Sequence, residues 1–212
     1  MDLKLKKVLD KMERVVNQID NLDPFRRVLE DKAESLTELD YTVEDICEYF
    51  YNGFNRFLEE NGYRLYLAYG SNMDVNQMDY RCPDSYIFDK VVVEDYKFVL
   101  DNAGVASIVP AKGYKVEAIL WAVHELDVET LDIYEGVDYG CYEKTTMPIV
   151  IDGVEIEVLV YFSLRDLVNR GFRSGYMTKI IKAAKAANFS EKYIKELETW
   201  NKEEPLRWSY VK

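Results

Sequence analysis

Apolar residues recur along the first part of the chain at helical spacing. In LKLKKVLDKMERVVNQID, Leu5, Leu9, Met12, Val16 and Ile19 alternate steps of four and three, which lays one apolar stripe along a helix. The tetrapeptide NLDP interrupts this pattern, because the residue before Pro24 avoids the α region. A second helix is predicted from about Pro24 to Leu39, and a third over YTVEDICEYFYNGFNRFLEENG. Thr42 followed by Asp45 is a capping-box-like start for the third, and Asn61-Gly62 is its end. Two heptads are too few for a coiled coil, so the first stripe is expected to pack against the same chain rather than form a dimer seam.

After Gly62 the pattern changes to strands. RLYLAYG is one, and YIFDKVVVEDYKFVLD reads as two short strands or one long bent one. KVEAILWAVHEL, YEKTTMPIVID and VEIEVLVYFSL are three more, the last two joined by Asp152-Gly153 as a hairpin. Helical spacing returns in SGYMTKIIKAAKAANF and in SEKYIKELETWNKEE, where Ser190 is the N-cap. The division that follows is a helical N-terminal extension over 1–61 and an α+β domain over 62–212.

Composition narrows the function classes. The 212 residues are 48% hydrophobic, enough to bury a sizeable core in one domain with an appendage. A formal net charge of -12 repels phosphate backbones and anionic lipid, so neither nucleic acid nor a membrane is expected as a partner. The longest clean apolar run, AILWAV, is too short to span a bilayer, and the charged start MDLKLKKVLDKMERVV lacks the apolar stretch of a secretory signal. Cys47, Cys82 and Cys141 are scattered, which fits reduced thiols in a cytosolic protein. With His124 the sole histidine and no ligand-spaced cluster, no metal site is expected.

Two stretches carry candidate chemistry. YLAYGSNM runs a strand into Gly70, Ser71 and Asn72; Ser71 or Asn72 can cap the short helix MDVNQMDYR, and free N–H groups there favour an anion. A plain strand-to-helix turn explains the same residues, and Asp74 competes with any anion. In HELDVETLDIYEGVDYGCY, a short helix is predicted from about Val128 into Glu135-Gly136. A carboxylate at a helix C-terminus gains nothing from the dipole, and burial would raise its pKa toward neutrality. A solvated surface carboxylate is the alternative. Among 17 tyrosines, Tyr66, Tyr69, Tyr142 and Tyr161 lie on or beside strands, where they suit either a polar pocket or ordinary packing. No G-x-S-x-G nucleophile is present, and neither Cys82 nor Cys141 has an adjacent base.

Taken together, YLAYGSNM, GVASIVPAKGYKVEAILWAV, LDIYEGVDYGCY, VLVYF and KIIKAAKAANFSEKYIKEL resemble the gamma-glutamylcyclotransferase family over roughly Arg64 to Leu197. The resemblance implies a small mixed-sheet closed barrel with helices packed outside it. It implies that the loop of Tyr69, Gly70, Ser71, Asn72 and Met73 binds a γ-glutamyl group through its backbone. Glu135 is then the acid/base, Tyr142 and Tyr161 line the pocket, and Ser174 and Tyr176 are candidates for its wall. The family's Pro-Ser pair reads FRSGYM here, and its Gly-Ala pair reads Ala183-Ala184. The implied reaction uses the substrate's own α-amine to form 5-oxoproline and needs no cofactor. A γ-glutamyl amino acid, a γ-glutamylamine and a γ-glutamyl protecting group share the half that these motifs read. An inactive binding module working through its N-terminal helices is the reading from another class. The expected partner is a small γ-glutamyl substrate, on a monomer or homodimer.

Overall fold

The computed structural model describes residues 2–20, 25–167 and 175–201. Three helices come first: α1 (Leu3–Ile19), α2 (Phe25–Glu38) and α3 (Val43–Glu60). The α+β part follows as β1 (Tyr63–Ala68), α4 (Val75–Arg81), β2 (Tyr86–Leu100), β3 (Ala106–His124), α5 (Glu125–Glu135), β4 (Tyr142–Ile151), β5 (Val154–Ser163), α6 (Tyr176–Ala186) and α7 (Glu191–Trp200). Local signals fix several ends. Thr42 and Asp45 form a complete capping box at α3, Ser190 accepts from the Tyr193 N–H at α7, and Gly62 leaves α3 at φ 74°. No helix among the described residues is long and apolar enough to cross a membrane.

The apolar stripe of α1 packs within the same chain. Leu5, Leu9, Met12 and Val16 are buried, and Val8 and Val15 widen the stripe. They share one core with Phe54 of α3 and Phe88 of β2, whose rings stack with centroids 4.9 Å apart.

The sheet has five strands in the order β2-β3-β1-β5-β4, with β1 antiparallel to β3 and parallel to β5. It is mixed, as expected, but it is not a closed barrel. Closure would require a backbone ladder between the two edge strands, β2 and β4, and the ladder stops at each. Helix side chains span the gap instead. Lys11 Nζ of α1 lies 2.6 Å from Asp89 Oδ2 on β2 and 2.5 Å from Asp152 Oδ2 at the β4–β5 turn. The Tyr51 hydroxyl of α3 also donates to Asp152, at 2.7 Å. The N-terminal helices thus tie β2 to the β4–β5 turn through side chains, where no strand ladder joins the two edges.

One strand takes the second of its two expected forms, and another differs from expectation. YIFDKVVVEDYKFVLD forms one strand, bent where the register shifts between Glu94 and Tyr96. Asp95 sits there at φ 59°, its carboxylate accepting from the Gly113 N–H at 2.7 Å. β3 begins at Ala106, ahead of the predicted KVEAILWAVHEL, and runs through Pro110. Pro110 is tolerated because β1 pairs with β3 only from Ile119 onward, which leaves the first half an edge of that pair.

Candidate functional site

The short buried strand β1 delivers Tyr69 and Gly70 into a single 3-10 turn, Ser71–Met73. Gly70 is fixed by crowding. A Cβ there would stand 3.2 Å from the Ala106 Cβ and 3.5 Å from the Tyr176 hydroxyl. The turn closes on itself, with the Met73 and Asp74 N–H groups donating to the Gly70 and Ser71 carbonyls at 3.1 Å. The N–H groups of Ser71 and Asn72 have no partner among the described residues, so they remain available to an anion. Neither residue caps α4. That role falls to Asp74, whose carboxylate accepts from the Gln77 N–H at 2.9 Å and so is committed to the helix rather than to a ligand.

Tyr69, Gly70, Ser71, Asn72, Glu135, Tyr142, Tyr161 and Tyr176 line one cleft with Tyr66 and Ala106. Met73 does not join them. Its side chain is buried in the core and its N–H is spent on the turn. Ser174 lies outside the described residues.

Glu135 is the last residue of α5, whose start is Glu125 rather than Val128, because His124 Nδ1 accepts from the Leu126 N–H and caps the helix early. Gly136 ends α5 at φ 65°, with a hypothetical Cβ only 3.1 Å from Cys141. Burial holds the Glu135 carboxyl above its usual range. The Arg81 guanidinium, 3.9 Å away, and a hydrogen bond from Asn72 pull it partly back.

Asn72 is the hub of the site. Its Oδ1 accepts from Gln77 Nε2 and Arg81 Nη1, each at 2.8 Å. Since a guanidinium only donates, the oxygen must face it, and the Nδ2 hydrogens must face the other way. They go to Glu135 Oε1 at 3.0 Å and to the Tyr66 hydroxyl at 2.8 Å. Arg81 is itself held over the Tyr134 ring, 4.2 Å from its centroid, and Gln77 Nε2 reaches the Ser71 hydroxyl at 3.0 Å.

The tyrosines form the walls. Tyr69 donates to the Tyr161 carbonyl, Tyr142 to the Ala106 carbonyl at 2.6 Å, and Tyr161 to Asp132 Oδ1 at 2.8 Å. Burial raises the pKa of all three, so they stay protonated. Gln77, Arg81 and Asp132 support the cleft without having been singled out from the sequence, and Ala106 lines it from the unpredicted half of β3. A signal existed for two of them: Gln77 and Arg81 are four apart and share one face of α4.

The AIG2-like family model matches residues 115–197. Human gamma-glutamylcyclotransferase is 30% identical over 108 residues, covering 46% of this chain and 57% of that protein. The bovine gamma-glutamylcyclotransferase is 28% identical over 88 residues, covering 37% and 47%. The chain thus spans about half the length of the curated relatives it matches. A solved gamma-glutamyl cyclotransferase structure superposes with a TM-score of 0.61 at 23% identity, covering 69% of this chain and 91% of that one. An uncharacterized protein from Homo sapiens does so at 0.61 and 24%, covering 70% and 92%. At these identities the two structures speak for the fold, while the family model and the curated relatives speak for descent. What these matches show is similarity to the gamma-glutamylcyclotransferase family, over residues 115–197 for the family model and over 46% of the chain for the human relative.

Proposed function

We propose that this protein is a cyclotransferase for a γ-glutamyl compound, with Glu135 as its general acid/base. The observation that carries the reading is a carboxyl at the end of a tyrosine-walled cleft, its side chain 16% exposed and its pKa raised chiefly by desolvation. Such a substrate brings its own nucleophile. Its α-amine attacks the γ-carbonyl, closes the five-membered ring of 5-oxoproline and expels an amine. The α-amine must lose a proton first, and the departing nitrogen must gain one. A single carboxylate between them serves both, which is help typically worth on the order of 10² to 10⁴ in rate. The Ser71 and Asn72 N–H groups, without a partner among the described residues, suit the substrate's α-carboxylate, and holding it folds the amine toward the carbonyl.

The test is release of 5-oxoproline across a panel of γ-glutamyl amino acids, γ-glutamyl-ε-lysine and simple γ-glutamylamines. Glu135→Gln should fold and bind the best of these while its turnover falls by about 10² or more. Turnover retained in that variant refutes the role given to Glu135. The panel also separates an amino-acid leaving group from an amine.

A further inference from the structure

The cleft tyrosines differ in where their protons go. Those of Tyr69, Tyr142 and Tyr161 are committed to protein acceptors. Tyr176 accepts from the Ala106 N–H at 3.1 Å and pairs with the Ser71 hydroxyl. Tyr66 is a different case. Its oxygen accepts from Asn72 Nδ2, and this bond cannot be reversed, because Arg81 and Gln77 hold the amide oxygen on the other side. The Tyr66 proton therefore has to point elsewhere, and it meets no acceptor among the described residues. A buried hydroxyl whose proton is left unbonded is destabilising, so a phenol kept this way in a cleft asks for an acceptor from outside the protein. Burial, and next the charge of Glu135, keep the phenol protonated at any working pH.

We propose that the Tyr66 hydroxyl is the oxyanion donor of the site, hydrogen-bonding the γ-carbonyl oxygen of the substrate and the negative charge that develops on it. This rests on the cyclotransferase reading above. The geometry suits it. Tyr66 and Glu135 are held by the two hydrogens of one trigonal nitrogen, which places their oxygens on the order of 5 Å apart. That span lets one group bond the oxygen of a tetrahedral centre while the other bonds a nitrogen on the same carbon. As the α-amine attacks, the new C–N bond forms and the carbonyl π pair moves onto oxygen, where Tyr66 holds it without giving up its proton. The pair then returns, the bond to the leaving nitrogen breaks, and that nitrogen takes the proton that Glu135 removed from the attacking nitrogen as the C–N bond formed, the ammonium proton having first been lost to solvent.

Tyr66→Phe keeps the ring and its edge contact with Tyr161, whose centroid lies 5.7 Å away, and removes the hydroxyl alone. It should lower kcat for 5-oxoproline release by about 10² to 10³, the usual cost of losing one oxyanion donor, with KM little changed. A second measurement separates this from mere loosening of Asn72. In the Glu135→Gln background, the infrared band of an isotope-labelled γ-carbonyl in a bound γ-glutamyl amide should lie at lower frequency with Tyr66 present than with Phe. A fluorinated tyrosine at position 66, which keeps the Asn72 bond and donates more strongly, should lower it further, and carries the test if the Phe variant does not fold. A kcat within twofold of the parent protein, or a band indifferent to residue 66, overturns the assignment while leaving the cyclotransferase reading intact. Absence of 5-oxoproline from the parent protein on every panel compound overturns both.

Discussion

Lys11→Met tests whether α1 is clamped across the two edges of the open sheet. The Lys11 side chain is 9% exposed, and its ammonium lies within hydrogen-bonding distance of both Asp89 and Asp152. Methionine keeps the apolar stem beside Phe88 but removes the ammonium that bridges the two carboxylates. Breaking a fully buried pair costs roughly 3–5 kcal/mol. Here the carboxylates are 30% and 24% exposed, so water recovers part of the loss, and about 2–3 kcal/mol is expected. For a chain of this size that is a fall in Tm of roughly 4–12 °C. Urea denaturation followed by far-UV circular dichroism measures it. Adding Asp89→Asn and Asp152→Asn should restore about 1 kcal/mol or more, because the uncompensated charges are then gone. Asparagine tolerates the left-handed backbone of residue 152, φ 51°, so the hairpin survives the change. A Lys11→Met protein within about 0.5 kcal/mol of the parent, or a triple variant no more stable than the single one, refutes the clamp.

Glu135 links the site to stability with a definite sign. Its pKa is raised in the fold, mainly by burial, so its contribution is complete below its unfolded pKa of about 4.3 and is lost as pH rises through the higher folded value. Glu135→Gln does not titrate, and its stability relative to the parent should grow between about pH 4 and about pH 7; denaturation curves at both ends check this, and a constant or shrinking difference contradicts it. Gly136→Ala places a Cβ at φ 65° and 3.1 Å from Cys141, so it should lose at least about 1 kcal/mol in stability and displace Glu135, lowering 5-oxoproline release. Unchanged melting and activity would show that the αL end of α5 does not position the carboxyl.

What the sequence disclosed about the fold is what short stretches decide for themselves. The α1 stripe, the Thr42–Asp45 capping box and the Asp152-Gly153 hairpin each depend on residues within a turn or two, and each forms. The first half of β3 was hidden because Pro110 and Gly113 look like turn chemistry, and only its position at an edge makes them compatible with a strand. The barrel was a different kind of error. It came from the family resemblance, whereas the observed sheet ends at β2 and β4. In this chain the N-terminal helices place Lys11 and Tyr51 at the open edges, and a strand ladder is not what joins them.

The site divides in the same way. Glu135 before Gly136 and the Tyr69–Asn72 loop stand out as motifs, because a helix end and a strand-to-turn junction leave marks in adjacent residues. What each group can do chemically was not legible, since it depends on partners far along the chain. Asn72 donates to a carboxylate 63 positions away, and Tyr69 spends its proton on a carbonyl 92 positions away. Tyr66 and Tyr69 lie three residues apart on the same strand end and look alike in sequence. Among the described residues one has an acceptor for its proton and the other has none, and the difference is set by Arg81 and Gln77 acting on the Asn72 amide. An arginine and a glutamine hydrogen-bonded to neither tyrosine thus decide which of them is left to bond a substrate.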